Sequence, residues 1–313
     1  MRAVRFERYG GPEVLEVVEV EDPTANPGQV LVRVRAAGIN PGEAAIREGR
    51  LQELWPATFP SGEGSDLAGV VEEAAEGVDG WGPGAEVIGW SEDRASHAEL
   101  VAVPADQLTA RPPEVPWEVA GALYVAGATA WAAVRAVAPQ PGETVAVSAA
   151  AGGVGCLAVQ LARRAGARVV GIAGEAHHEW LRRHGVVAVA YGDGLAARLR
   201  EEAAEGIDAF IDTFGGGYVD LAVELGVKPG RIDTIIDREA AQRHGTRTDG
   251  SAAGSSAEVL AELAGMIARG ELELPIEAVY PLERVREAYE ALEKRHTLGK
   301  IVLVAPASVR SLL

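Results

Sequence analysis

The sequence predicts an α/β protein in two parts, an all-β, barrel-like unit and a doubly wound parallel sheet. Residues 1–118 carry short apolar stretches broken by Gly and Pro, the pattern of strands joined by tight turns. From 119 on, buried-type apolar strands alternate with helical stretches, as expected where parallel strands are joined by helical crossovers. One of those strands runs straight into the glycine-rich stretch Ala149-Ala150-Ala151-Gly152-Gly153-Val154-Gly155.

In the first part, 30–36 alternates as Val-Leu-Val-Arg-Val-Arg-Ala, 67–73 is apolar, and 85–90 follows a Gly-Pro-Gly turn. Pro104, Pro112, Pro113 and Pro116 punctuate the exit from this unit. In the second part the pattern places strands at 144–148, 168–173, 186–190, 208–213 and 231–236, with helices at 153–165, 175–184, 194–204 and 216–225. A Gly/Ser-rich loop at 245–256 leads to a helix at 257–269. The chain closes with a strand at 276–280, a helix at 282–295 and a strand at 300–304. The expected domains are therefore 1–118, 119–256 for the α/β block, and 257–313 as a return to the first unit.

The chain has 313 residues, 29 basic against 46 acidic side chains, and a formal net charge of −17. Such a surface repels phosphate backbones, so nucleic acid is not an expected partner. No apolar run approaches the ~20 residues of a membrane helix, and Met1-Arg2-Ala3-Val4-Arg5-Phe6 alternates like a strand rather than a signal core. A cytoplasmic protein without membrane partners is expected. Cys156 is the one cysteine, which rules out an intrachain disulfide and any cysteine-rich zinc site. It follows the glycine turn on an apolar helix and reads as a packed small residue.

The strand–turn–helix setting is what a dinucleotide fingerprint requires. Small residues let the backbone approach a pyrophosphate, and the helix N-terminus stabilises its charge. Written as G-x-G-x-x-G, the positions are Ala150, Gly152 and Gly155. The next strand ends Ile172-Ala173-Gly174 and lacks the carboxylate that reads a ribose 2′-hydroxyl, so a 2′-phosphate meets no repulsion there. NADPH is the expected cofactor, although Glu175 follows at once. His177, His178, Arg182 and Arg183 are candidate counter-charges on the helix beyond.

At these residues the chain resembles the medium-chain dehydrogenase/reductase superfamily, in its zinc-free quinone oxidoreductase (zeta-crystallin-like) branch. The likeness runs through Tyr9-Gly10-Gly11-Pro12, Ala36-Ala37-Gly38-Ile39-Asn40-Pro41, Gly64-Ser65-Asp66, Ala128-Thr129-Ala130-Trp131, Asp212-Thr213-Phe214-Gly215-Gly216 and Gly299-Lys300-Ile301-Val302. It implies a GroES-like catalytic domain with a Rossmann domain, and a homodimer. It also implies that Asn40, Ser65 and Val125 stand where zinc-containing relatives carry metal ligands, so no metal site is expected. Asn40 is implied beside the nicotinamide, donating a hydrogen bond to the substrate oxygen, with Thr129 nearby as the second catalytic candidate. Gly174, Tyr191, Phe214, Gly215, Ile235, Ile236 and Lys300 join Ala150, Ala151, Gly152, Gly153, Val154 and Gly155 as cofactor contacts. Trp55 and Tyr124 are the substrate-pocket candidates.

Without a metal to polarise a carbonyl, the expected chemistry is hydride delivery to a small quinone or an α,β-unsaturated carbonyl. Two alternatives share the scaffold: an enoyl-thioester reductase of lipid or polyketide assembly, and a non-catalytic NADPH-binding sensor or structural protein.

Overall fold

The structure is a computed structural model and describes residues 1–305. The strands in chain order are β1 (Arg2–Phe6), β2 (Glu16–Glu19), β3 (Gln29–Gly38), β4 (Ser61–Gly62) and β5 (Asp66–Ala74). They continue with β6 (Glu86–Trp90), β7 (Leu100–Pro104), β8 (Leu108–Ala110), β9 (Thr144–Val147) and β10 (Arg168–Ala173). The last are β11 (Val187–Ala190), β12 (Ala209–Asp212), β13 (Ile232–Thr234), β14 (Ile276–Pro281) and β15 (Lys300–Val304).

The chain divides into two compact units. The first holds Met1–Val125, Ser256–Glu271 and the chain from Ile276 on; the second holds Ala126–Ser255 and Leu272–Pro275. The division differs from the expected domains at two points. The boundary falls inside the helix Leu123–Val137 rather than at 118, because a continuous helix gives the sequence no break to show. Leu272–Pro275 belongs with the second unit because Gln160 grips Glu273 on both sides, Nε2 donating to its carbonyl and Oε1 accepting from its N–H, each at 2.8 Å. Residues 306–313 of the expected return segment lie outside the described residues.

In the first unit the larger sheet runs β14-β15-β3-β5-β6-β8, with β7 also paired to β3, and a smaller sheet runs β2-β1-β4. The alternation of β3 is visible in its burial: Val30, Val32 and Val34 point into the core while Leu31, Arg33 and Arg35 do not, the period of two that a half-buried strand imposes. Its inner residues pack with Leu67, Val71, Val87, Val101 and Leu108. The late strand β15 pairs antiparallel with β3, Val302 opposite Gly38, which brings Lys300 to the end of β3.

The second unit is a five-stranded sheet of order β11-β10-β9-β12-β13, all parallel. From β9 the order runs outward to β10 and β11 on one side and to β12 and β13 on the other, so the carboxyl ends of β9 and β12 flank the switch point of a doubly wound sheet. All four residues of β9 and of β12 are buried, in line with their continuous apolar sequence. Strand 231–236 shortens to Ile232–Thr234, since Ile235 onward is drawn into a turn described below. The 245–256 loop contains a short helix, Ser251–Gly254.

Candidate active site

In the second unit, the glycine turn joins β9 to the helix Gly153–Arg164. Ala149 holds a φ of 42°, the left-handed conformation that costs an alanine strain. The turn closes with Gly152 N–H on Ala149 O at 2.8 Å, and Ala150 N–H bonds Ile172 O of β10 at 2.9 Å. A side chain on Gly155 would stand 2.1 Å from Ala149 O, so only glycine lets the helix start this close to the turn. The first helical bond is Cys156 N–H to Gly152 O, which leaves the N–H groups of Gly153, Val154 and Gly155 outside the ladder and aligned with the positive end of the helix. Ala150 and Ala151 are buried, whereas Gly152, Gly153 and Val154 keep part of their surface open.

The carboxyl edge of the sheet continues this surface. Tyr191, Phe214 and Ile236 follow β11, β12 and β13, and are exposed by 51%, 40% and 48%. Gly174 follows β10, and a Cβ there would meet only the Tyr191 ring, at 3.5 Å. Large apolar side chains left in water along one edge mark a surface made to be covered. The edge is held from beneath by a residue that sequence reasoning did not single out, Asp212. Its Oδ1 accepts from Ser148 Oγ (2.7 Å), Phe214 N–H (3.0 Å) and Gly215 N–H (2.9 Å), and its Oδ2 from Thr234 Oγ1 (2.8 Å). Thr234 Oγ1 in turn accepts from Asp237 N–H at 3.0 Å, and Ile235 N–H bonds Asp212 O at 3.1 Å. One fully buried carboxylate thus fixes the ends of β9, β12 and β13 together. A carboxylate closing an otherwise apolar strand was the signal available for it.

The candidate counter-charges do not assemble. His178 is buried with Nε2 against Ala173 O at 3.1 Å. Arg182 and Arg183 sit exposed in the last turn of the helix His178–Arg183, away from the strand end that starts it. His177 lies in the short turn after β10, its N–H on Gly174 O at 2.9 Å. Thr129 is buried in the helix Leu123–Val137.

In the first unit a buried polar cluster gathers at the ends of β3 and β5. Asn40 caps the helix Pro41–Arg47, and its backbone N–H bonds Glu43 Oε2 at 2.9 Å, a carboxylate answering the helix start. Both amide hydrogens of Asn40 are engaged, with Glu43 Oε1 at 3.1 Å and Asp66 Oδ2 at 3.0 Å. An amide has two such hydrogens, and here neighbouring carboxylates hold both. Lys300 joins the same cluster. Its ammonium is buried and gives its three hydrogens to Ile39 O (3.0 Å), Asn40 Oδ1 (2.5 Å) and Asp66 Oδ2 (3.2 Å).

Asp66 Oδ1 also accepts from Val125 N–H at 2.6 Å, and Glu43 accepts from Ser65 N–H and Tyr289 Oη at 2.8 and 2.9 Å. Behind them Arg47 and Glu63 form a fully buried pair at 2.9 Å. Burial pushes the Glu63 carboxyl up to about 8, with Glu43 adding to the shift and Arg47 opposing it. Burial also lowers the pKa of His97, whose Nε2 lies 3.1 Å from Gly38 O. The oxygens of this cluster are occupied by N–H and O–H donors, and an ammonium already stands among them, which does not suit a divalent cation. Among the described residues no group of three or more His, Cys, Asp or Glu side chains is placed to hold a metal.

Of the substrate-pocket candidates, Trp55 is 47% exposed, in the loop beyond the helix Pro41–Arg47. Tyr124 is buried and stacked on Trp90, ring centroids 4.4 Å apart and planes 4° from parallel.

Comparison with known proteins agrees with this architecture. Residues 26–114 match the alcohol dehydrogenase GroES-like domain, and residues 184–303 match the zinc-binding dehydrogenase domain. The chain is similar to the quinone oxidoreductase of Rattus norvegicus, 30% identical across 97% of this chain and 98% of that one. It is 33% identical to erythronolide synthase EryA2 of Saccharopolyspora erythraea over 93% of this chain, which spans 8% of that much longer protein. Among solved structures, the Escherichia coli quinone oxidoreductase complexed with NADPH superposes with a TM-score of 0.86 at 25% identity, covering 97% of this chain and 100% of that one. The chain belongs to the quinone oxidoreductase family of medium-chain dehydrogenases/reductases. It is therefore an oxidoreductase.

Proposed function

We propose that the protein is an NADPH-dependent oxidoreductase that delivers hydride, without zinc, to a quinone or an α,β-unsaturated carbonyl. The observation that carries the cofactor is the carboxyl edge of the second unit's sheet. There the open helix N-terminus at Gly152, Gly153 and Val154 continues into the exposed row of Tyr191, Phe214 and Ile236. A pyrophosphate fits the first and an adenosine or nicotinamide ring the second, with Ala150, Ala151, Gly155, Gly174, Gly215 and Ile235 shaping the backbone beneath. The NADPH held by the E. coli relative supports the choice, as does the absence of a carboxylate at Gly174.

A bound nicotinamide would supply hydride and solvent a proton, so a quinone leaves as its hydroquinone. The protein's part is to orient the rings and exclude water. A conjugated acceptor spreads the incoming charge over its own atoms, which suits a site whose Asn40 and Lys300 donors are engaged elsewhere. Asn40 in the first unit and Thr129 in the second are the catalytic candidates, Lys300 is a candidate cofactor contact, and Trp55 and Tyr124 are acceptor-site candidates in the first. The likeness to EryA2 favours a second reading, reduction of an enoyl thioester. The acidic surface speaks against delivery by an acidic carrier protein, though not against a coenzyme A thioester. A homodimer belongs to the same proposal and is tested by light scattering.

Competitive titration tests the cofactor, with NADPH expected to bind at least tenfold tighter than NADH, about 1.4 kcal/mol. Gly174→Asp should reverse the preference. Its backbone is extended at φ −66° and the new Cβ makes ordinary contact with Tyr191, so the variant should fold. An NADH preference in the unaltered protein overturns the cofactor assignment. Steady-state rates with a benzoquinone and with crotonyl-coenzyme A separate the two acceptor readings.

A further inference from the structure

The geometry points to Trp90 as the residue that recognises the acceptor's carbonyl oxygen, an inference that rests on the quinone or enone reading above. Trp90 ends β6 and is the direct cross-strand partner of Asp66. Paired residues of antiparallel strands project from the same face of a sheet, so the indole stands on the face that carries the Asp66 carboxylate. Asp66 binds Asn40, Lys300 and the Val125 amide, and Tyr124, the residue before Val125, lies flat on the Trp90 ring at 4.4 Å. The two aromatic rings are thus part of the wall built around this cluster.

Within that wall a donor stands unanswered. The Nε1–H of Trp90 is buried and has no hydrogen-bond partner among the described residues, whereas the hydrogens on Asn40 Nδ2 and Lys300 Nζ are all engaged. A buried N–H without a partner is destabilising, and it is retained most readily where a ligand completes it. Phenylalanine would fill the same apolar place without that penalty. An acceptor with a carbonyl at its rim would supply the oxygen that the indole N–H lacks. The donor gains strength as hydride arrival puts negative charge on that oxygen.

The test compares Trp90→Phe, which keeps the stack and loses the N–H, with Trp90→His, which restores a ring N–H. Trp90→Phe should lower kcat/KM for a small benzoquinone about tenfold. Its NADPH affinity should stay unchanged and its melting temperature should not fall, and Trp90→His should recover part of the loss. The unaltered protein supplies a measurement that needs no variant to fold. Of its six tryptophans, one indole N–H resonance should move downfield when quinone is added. Turnover within twofold of the unaltered protein in Trp90→Phe, or no indole shift on quinone binding, overturns the inference while leaving quinone reduction intact. Absence of any quinone or enone reduction by the unaltered protein overturns the functional reading, and this inference with it.

Discussion

At the scale of single residues, the buried cluster of the first unit is a matter of matching hydrogens to oxygens. Asn40 gives two hydrogens to carboxylates and accepts one from Lys300. Asn40→Ala would leave Glu43, Asp66 and Lys300 each one partner short in a buried site. That should cost about 1–3 kcal/mol in urea-induced unfolding, and NADPH affinity should be little changed. A loss of turnover with full stability would instead return Asn40 to the reacting atoms. Glu63 adds a dependence on pH whose sign follows from its raised pKa. The folded carboxyl keeps its proton up to about pH 8, while in the unfolded chain it is lost near its ordinary value of 4.5. Its contribution is therefore fully present below 4.5 and falls away as pH rises towards 8. Asp233, pushed to about 7 by burial, adds a slope of the same sign. His97 acts on the other side: burial lowers its pKa, so stability drops as pH falls below its ordinary 6.5 and the unfolded chain takes up the proton first. Glu63→Gln keeps an acceptor for Arg47 and should flatten the decline between pH 7 and 8, read from unfolding midpoints across that range. An unchanged slope would mean that Glu63 is ionised in the folded protein.

At the scale of elements, the glycine turn shows what the sequence makes legible. Strand, small-residue turn and helix could be read directly, because each is fixed by local conformational limits, and the structure builds them at Thr144–Val147 and Gly153–Arg164. Gly155→Ala tests the element. Its methyl would meet Ala149 O at 2.1 Å, and since backbone must shift, NADPH affinity should fall tenfold or more while the protein stays folded, about 1–3 kcal/mol less stable. Titration with NADPH checks this, and unchanged affinity would remove the turn from the cofactor site. Other features were illegible for a common reason. Asp212 looks like one more strand residue until β9 and β13 are brought alongside it, and the partners of Asn40 and Lys300 come from 26 and 260 positions away. Trp90 reads as a core aromatic at the end of an apolar strand. Only its pairing with Asp66 and its unanswered N–H distinguish it. Residue types and local order were readable, whereas which donor meets which acceptor depends on pairings that no local pattern encodes.

At the scale of the whole molecule, a net charge of −17 favours solubility and disfavours anionic macromolecular partners, and no helix among the described residues is long and apolar enough to cross a membrane. The chemistry divides between the units. In the proposed function the second binds the dinucleotide along its sheet edge. The first presents aromatic rings beside a cluster in which an internal ammonium stands among the carboxylates. The central claim is that the protein reduces conjugated carbonyl acceptors with NADPH and without zinc. The measurement that tests it most directly is NADPH oxidation by chelator-treated protein of verified metal content, with a benzoquinone, an enone and a saturated aldehyde as acceptors. The account predicts turnover with the quinone or the enone, no effect of the chelator, and no reaction with the aldehyde. Stoichiometric zinc in the purified protein, with activity that chelation abolishes and zinc restores, would contradict it, as would NADPH binding without turnover of any acceptor.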